Sequence, residues 1–234
     1  MKKTYQLTAL MAALSISTAA MAADLEISVT NLTQGIHFTP LLITAHTGDA
    51  HLFEVGQTAS AELQAMAEGG DISGLAGIAD SISANSLANP AGGLLNPGMT
   101  ASGELMTDDG NMYLSITGMM LPTNDGFVGL DSWMIPSDAG TYTTYLNAYD
   151  AGTEANDEIR GSGALGMPGI PVPPPLEPLL GANGTGVTSE ESNSYIHIHR
   201  GNLGDDNATG GTSDFNNTVH RWLNPVAKVT VTVR

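Results

Sequence analysis

Three carboxylate clusters lie beside turn-forming residues: Asp108-Asp109, Asp125 within Pro122-Thr-Asn-Asp-Gly-Phe127, and Asp150 with Glu154 and Asp157-Glu158 in YDAGTEANDE. A hard cation such as Ca²⁺ takes six to eight oxygens at about 2.3–2.6 Å. Loops that gather carboxylates at one end of a fold can therefore bind it, and sharing the ion relieves their mutual repulsion. The competing account is that these are solvated turn residues, since Asp and Asn bond nearby backbone and favour turns anyway. Neither the regular EF-hand spacing nor a glycine-rich calcium repeat is present.

A second kind of chemistry rests on histidine. His197 and His199 are two apart in YIHIH, a strand-like run that would project both imidazoles from one face, as in a zinc or iron site of the cupin kind. A third ligand would come from His220, His37, His46, His51 or Asp205, and no spacing rule selects among them. The cupin pattern wants a glutamate shortly after the second histidine, whereas Arg200-Gly-Asn-Leu-Gly-Asp205 offers an aspartate too late. The plainer account has these histidines bonding loop backbone. Nucleophilic catalysis has less support: there is no G-x-S-x-G elbow, no H-E-x-x-H helix and no cysteine. Gly161-Ser-Gly163 and Gly210-Gly211 lack the following helix and lysine of a phosphate cradle. Glu190-Glu191 and Asp205-Asp206 read as solvated pairs. The expectation is a protein that is not an enzyme.

The elements that must position these groups are mostly strands. Asp24–Leu32 alternates apolar and polar residues, Leu41–Ala45 is a short apolar run, and Met112–Leu121, Gly126–Ile135 and Thr141–Ala148 read as the sheet core. Tyr195–His199 and Ala227–Val233 complete a count of about eight. Between Gln57 and Ser86 the texture turns helical, with Ala59, Leu63, Met66 and Ala67 spaced for one short helix closed by Gly69-Gly70, and a second near Ile78–Ile82. Residues 164–180 carry six prolines and can supply few backbone donors, which predicts an extended loop inserted in the domain. Strands throughout with one or two short helices in a loop excursion predict an all-β antiparallel sandwich.

The start of the chain reads as a signal peptide over residues 1–22. Lys2-Lys3 is the charged part, Leu7–Ile16 the apolar part, too short to span a bilayer, and Ala20-Met21-Ala22 the cleavage site. The expected product is an exported domain over 23–234, periplasmic or secreted, with no transmembrane segment. Losing Lys2 and Lys3 takes the formal charge from −17 to −19, five basic residues against 24 acidic ones. Such a chain repels phosphate backbones, so nucleic acid is excluded as a partner. No cysteine is present, so neither disulfides nor thiolate ligands hold the fold together.

Leu121-Pro-Thr-Asn-Asp-Gly-Phe-Val-Gly-Leu-Asp131 followed by Tyr149-Asp-Ala-Gly-Thr-Glu154 resembles the two signature segments of the spondin N-terminal domain family. Ile27-Ser-Val-Thr-Asn-Leu32, Phe38-Thr-Pro-Leu41 and the ending from His220 to Val231 add to the resemblance. It implies a C2-like antiparallel β-sandwich whose loops hold calcium, with adhesion or matrix binding in the animal members. It also implies Asp125, Asp150 and Glu154 as metal ligands, with a further acidic ligand at Glu104 or Asp108. Where animal members have Trp after the aspartate, this chain has Gly126, and it lacks their cysteines. The reading is an exported, noncatalytic, calcium-binding adhesion module for an extracellular or cell-surface protein or polysaccharide. The alternatives are a transition-metal protein or cupin-like enzyme built on His197, His199 and His220, and a metal-free structural surface protein.

Overall fold

The computed structural model describes residues 22–191 and 193–234, so all but the last residue of the expected signal segment lies outside the described residues. The chain is all-β and antiparallel, with ten strands and two short α-helices among the described residues. The strands are β1 (Asp24–Asn31), β2 (His37–Phe38), β3 (Leu42–His46), β4 (Asn85–Ala88), β5 (Thr100–Met106), β6 (Tyr113–Leu121), β7 (Gly126–Met134), β8 (Gly140–Asp150), β9 (His197–Ile198) and β10 (Ala227–Val233). Hydrogen bonding runs in the order β4-β3-β6-β7-β8-β10-β1-β5, with β2 beside β6 and β9 beside β8. Asn85 at the start of β4 exchanges hydrogen bonds with Asp108, just past β5 (2.7 and 2.9 Å), so the two ends of the sheet nearly meet. The result is a sandwich-like sheet folded over on itself.

Side-chain alternation shows why. In β1 and β10 the alternate residues Leu25, Ile27, Val29 and Asn31, and Ala227, Val229, Val231 and Val233, are buried, the pattern of a strand with one wet face. In β3, β6 and β7 both faces are covered. Ile43, Met120 and Val128 join the central core, and their neighbours Leu42, Met119 and Phe127 join a second cluster on the opposite face. That second cluster is closed by α1 (Ala61–Gly69) and α2 (Ser73–Ser81), which supply Leu63, Met66 and Leu75. The first helix starts where Ser60 Oγ accepts from Leu63 N (3.1 Å). It stops at Gly70, in the left-handed region at φ 72°.

Three strands did not stand out in the sequence: β4, β5 and the two-residue β2. In β5, Gly103 interrupts the apolar alternation because Leu87 packs over it, with Leu87 Cδ2 only 2.6 Å from where a Cβ would sit. β4, with the pattern Asn-Ser-Leu-Ala, is half exposed. The expected strand Tyr195–His199 shrinks to two residues.

Between β8 and β10 the chain runs through a long, largely irregular excursion that is held down by its acidic residues. Glu158 is buried and accepts from Leu203 N (2.6 Å), Gly204 N (2.8 Å) and Ser213 Oγ (2.7 Å). Asp214, also buried, accepts from Arg160 N (2.8 Å) and Gly184 N (2.9 Å). Asp205 accepts from the amides of Asn207, Thr212 and Ser213, which hold its pKa below the usual carboxylate value, the Ser213 bond foremost. Within residues 164–180 a short 3₁₀ turn (Glu177–Leu179) follows Leu176, whose side chain is buried against the second cluster.

Candidate functional site

Strand pairing brings Asp125 and Asp150 together. Asp125 closes the β6–β7 turn and Asp150 ends β8, and Gly126 lies opposite Asp150 in the β7–β8 ladder. Both carboxylates are buried, at 0% and 1% exposure. The turn after Asp150 folds back over Asp125, whose Oδ2 accepts from Thr153 N (2.8 Å), Thr153 Oγ1 (3.2 Å) and Glu154 N (3.1 Å). Gly152 makes that turn possible at φ 70°, and its N–H donates to Asp150 Oδ1 (2.9 Å). Asn156 Nδ2 donates to Asp150 Oδ2 (2.6 Å).

One oxygen is left over. Asp125 Oδ1 is buried and has no hydrogen-bond partner. Burial raises the Asp125 pKa well above the ordinary carboxylate value, and the neighbouring Asp150 charge raises it further, against the lowering effect of the Thr153 and Glu154 amides. Two adjacent buried carboxylates with a spare oxygen match the donor chemistry of a hard cation, which would supply the missing positive charge.

The other expected ligands lie elsewhere. Glu154 contributes its amide to Asp125, but its carboxylate accepts from Asn124 Nδ2 (2.8 Å) and from Gly169 N. Burial raises its pKa, and the carboxylates it feels are Glu68 and Asp157. These three acids line an open cavity of about 530 Å³, together with residues 166–168, 184–186 and 188–189. Glu104, on β5, faces solvent and pairs with Arg234 Nη1 (2.8 Å) at the opposite end of the sheet. Asp108 is taken by Asn85.

The histidines divide into two groups. His197 lies opposite Asp150 in the β8–β9 ladder, donates from Nδ1 to Tyr195 O (2.7 Å) and holds Nε2 3.8 Å from Asp150 Oδ2. His199 is buried against Trp222, with ring centroids 4.9 Å apart, and its ring edge fills the space a side chain at position 126 would need. Burial lowers its pKa to about 4, partly opposed by Asp150. His220 sits apart, near His37 and Phe215, and burial lowers its pKa to about 4 as well. In both His199 and His220 the Nδ1 accepts a backbone N–H, from Gly201 (2.9 Å) and Asn216 (3.0 Å). The neutral rings therefore carry their proton on Nε2, which leaves neither nitrogen a spare lone pair for a metal. Among the described residues, no three His, Asp or Glu side chains gather into a ready-made metal cage.

Sequence reasoning missed Thr153 and Asn156, whose donors orient the two aspartates, and Gly152, whose left-handed turn brings them round. Only the glycine left a signal, in the D-A-G-T turn itself. No helix among the described residues is long and apolar enough to cross a membrane. A family model described as Spondin_N matches residues 30–160, more than half of the chain, a stretch that holds Asp125, Asp150 and Glu154 and ends before His197. No curated protein matches.

Proposed function

The chain belongs to the Spondin_N family, and from that membership we propose that it is an exported, noncatalytic binding module whose Asp125–Asp150 end is ordered by calcium. The observation that carries the reading is the unpartnered, buried Asp125 Oδ1 beside a second buried carboxylate. Left without a cation, this pair costs stability, because burial penalises each charge and each repels the other. A bound Ca²⁺ supplies the charge both lack and ties the β6–β7 turn to the exit of β8.

Asp125 and Asp150 would hold the ion. Thr153, Glu154 and Asn156 keep the aspartates aimed through their N–H donors, and Gly152 sets the turn that delivers those donors. A site with so few protein carboxylates belongs with extracellular modules, whose Kd is about 10⁻⁴–10⁻³ M and which fill only where calcium is abundant. Export from the cytosol provides that condition. The ordered end then presents fixed loops to an extracellular or cell-surface protein or polysaccharide, since loops on a rigid sandwich are where binding surfaces are built.

Calorimetric titration of chelator-treated protein with CaCl₂ tests the reading. One calcium per chain is expected, and the heat should disappear in Asp150→Asn. Absence of binding at millimolar calcium would overturn it.

A further inference from the structure

At the other end of β7 from the aspartate pair, a β-bulge assembles three donor atoms that the proposed function does not use. Register shifts between Leu114 and Ile116 of β6, so Ser115 alone opposes both Asp131 and Ser132 of β7. In a regular strand these successive side chains would point to opposite faces. Here Ser132 takes φ 49°, a left-handed conformation that is unfavourable for a residue with a Cβ, and the bulge turns both side chains to one place. There they meet His51. His51 Nδ1 lies 2.9 Å from Asp131 Oδ1 and 3.1 Å from Ser132 Oγ, and Ser132 Oγ lies 2.8 Å from Asp131 Oδ1.

The arrangement is held from behind on both sides. Ser132 N donates to Ser115 Oγ (2.9 Å), and that buried hydroxyl is bonded to Nε2 of the buried His46 (2.7 Å). Two residues on from His51, the Phe53 ring fits over Gly129 and packs 5.0 Å from Phe127 and 5.2 Å from Tyr149, which anchors the segment that carries His51. The outer side is open, with His51 37% and Asp131 24% exposed.

We propose that His51 Nδ1, Asp131 Oδ1 and Ser132 Oγ form a binding site for a divalent late transition ion. Three donors separated by 2.8–3.1 Å form one face of a coordination sphere: ligands at right angles about 2.1 Å from a metal stand about 3.0 Å apart. One imidazole, one carboxylate and one hydroxyl at right-angle spacing suit Cu²⁺, which favours tetragonal coordination and leads the usual order of divalent affinities, better than tetrahedral Zn²⁺, whose ligands would stand about 3.4 Å apart. Unlike His199 and His220, His51 offers Nδ1 to no backbone N–H. Its proton can move to the Nε2 side, which makes no hydrogen bond to the described residues, and Nδ1 is then free to ligate. The Ser132 hydroxyl proton turns outward as its oxygen meets the metal. The triad is not arranged for nucleophilic attack, because Ser132 donates to Asp131 and shares the same imidazole nitrogen with it.

The test is a Cu²⁺ titration of chelator-treated protein followed by electron paramagnetic resonance. Wild type should take up one tight equivalent showing coupling to a single imidazole nitrogen. His51→Gln and Asp131→Asn should each weaken it about 10-fold or more, while His197→Gln should leave it unchanged. Should one of the first two variants fail to fold, as judged by its melt, the other decides. Copper binding unaltered in the folded variants, or lost in His197→Gln instead, would overturn the assignment.

Discussion

Asp125 and Asp150, 25 residues apart in the chain, are brought near each other because Gly126, next to Asp125, is the partner of Asp150 in the β7–β8 ladder; both carboxylates are buried, each charge is felt by the other, and Asp125 Oδ1 is unused. Most of what distinguishes this protein's behaviour with and without calcium should follow from that pairing.

Asp125→Asn should reverse sign with conditions. In chelator, an amide oxygen can still accept from Thr153 N and Glu154 N while the buried like-charge repulsion disappears, so the variant should be as stable as wild type or more so, by about 1 kcal/mol. In millimolar calcium it should fall below wild type. Thermal melts of both proteins in both buffers check this.

Glu154→Gln should keep most of the calcium response and change stability by no more than about 0.5 kcal/mol. Its carboxylate oxygen accepts from Asn124 and Gly169, roles an amide oxygen can fill, and its backbone N–H to Asp125 is untouched. Calcium titration monitored by calorimetry distinguishes it from Asp150→Asn, which should lose binding.

Gly152→Ala should destabilise the protein by roughly 1–3 kcal/mol even in chelator. The position has φ 70°, and a Cβ there would lie 2.7 Å from Asn193 O and 2.8 Å from Ser194 C, both backbone. Urea unfolding curves measure the loss.

His220 gives a pH signature. Its folded pKa is lowered to about 4 from 6.5, chiefly by burial, so between those values the unfolded chain holds more protons. Its contribution to stability is therefore complete above about pH 6.5 and is lost as pH falls through 4, at up to about 1.4 kcal/mol per pH unit. His220→Asn, whose side-chain oxygen can accept from Asn216 N, should remove its share of the slope in unfolding curves taken from pH 4 to 7.5, leaving the share of His199, whose pKa burial also lowers to about 4.

The strands that alternate or run continuously apolar, β1, β6, β7, β8 and β10, were legible because the period-2 pattern reports directly on which face is buried. β5 was not, since Gly103 breaks the pattern for a reason that lies in Leu87, a residue of another strand. At the site, Asp125 and Asp150 could be chosen from their signature segments. The direction of Glu154 could not, because it depends on Asn124 and on Gly169 arriving from the proline-rich loop. Nor could composition tell apart the uses of 24 acidic residues: Glu158, Asp205 and Asp214 accept backbone N–H groups and pin loops, a role set by tertiary placement alone. The bulge at Ser132 is equally hidden, because only the register with β6 reveals it.

The most direct test of the calcium account is the melting temperature of the chain over residues 23–234 in about 5 mM calcium, above the ~10⁻⁴–10⁻³ M Kd of extracellular modules, against the same protein in excess chelator. A ligand that binds only the folded state stabilises it by mass action, so wild type should melt several degrees higher with calcium and Asp150→Asn should show no difference. Identical wild-type melts in the two buffers would contradict the account.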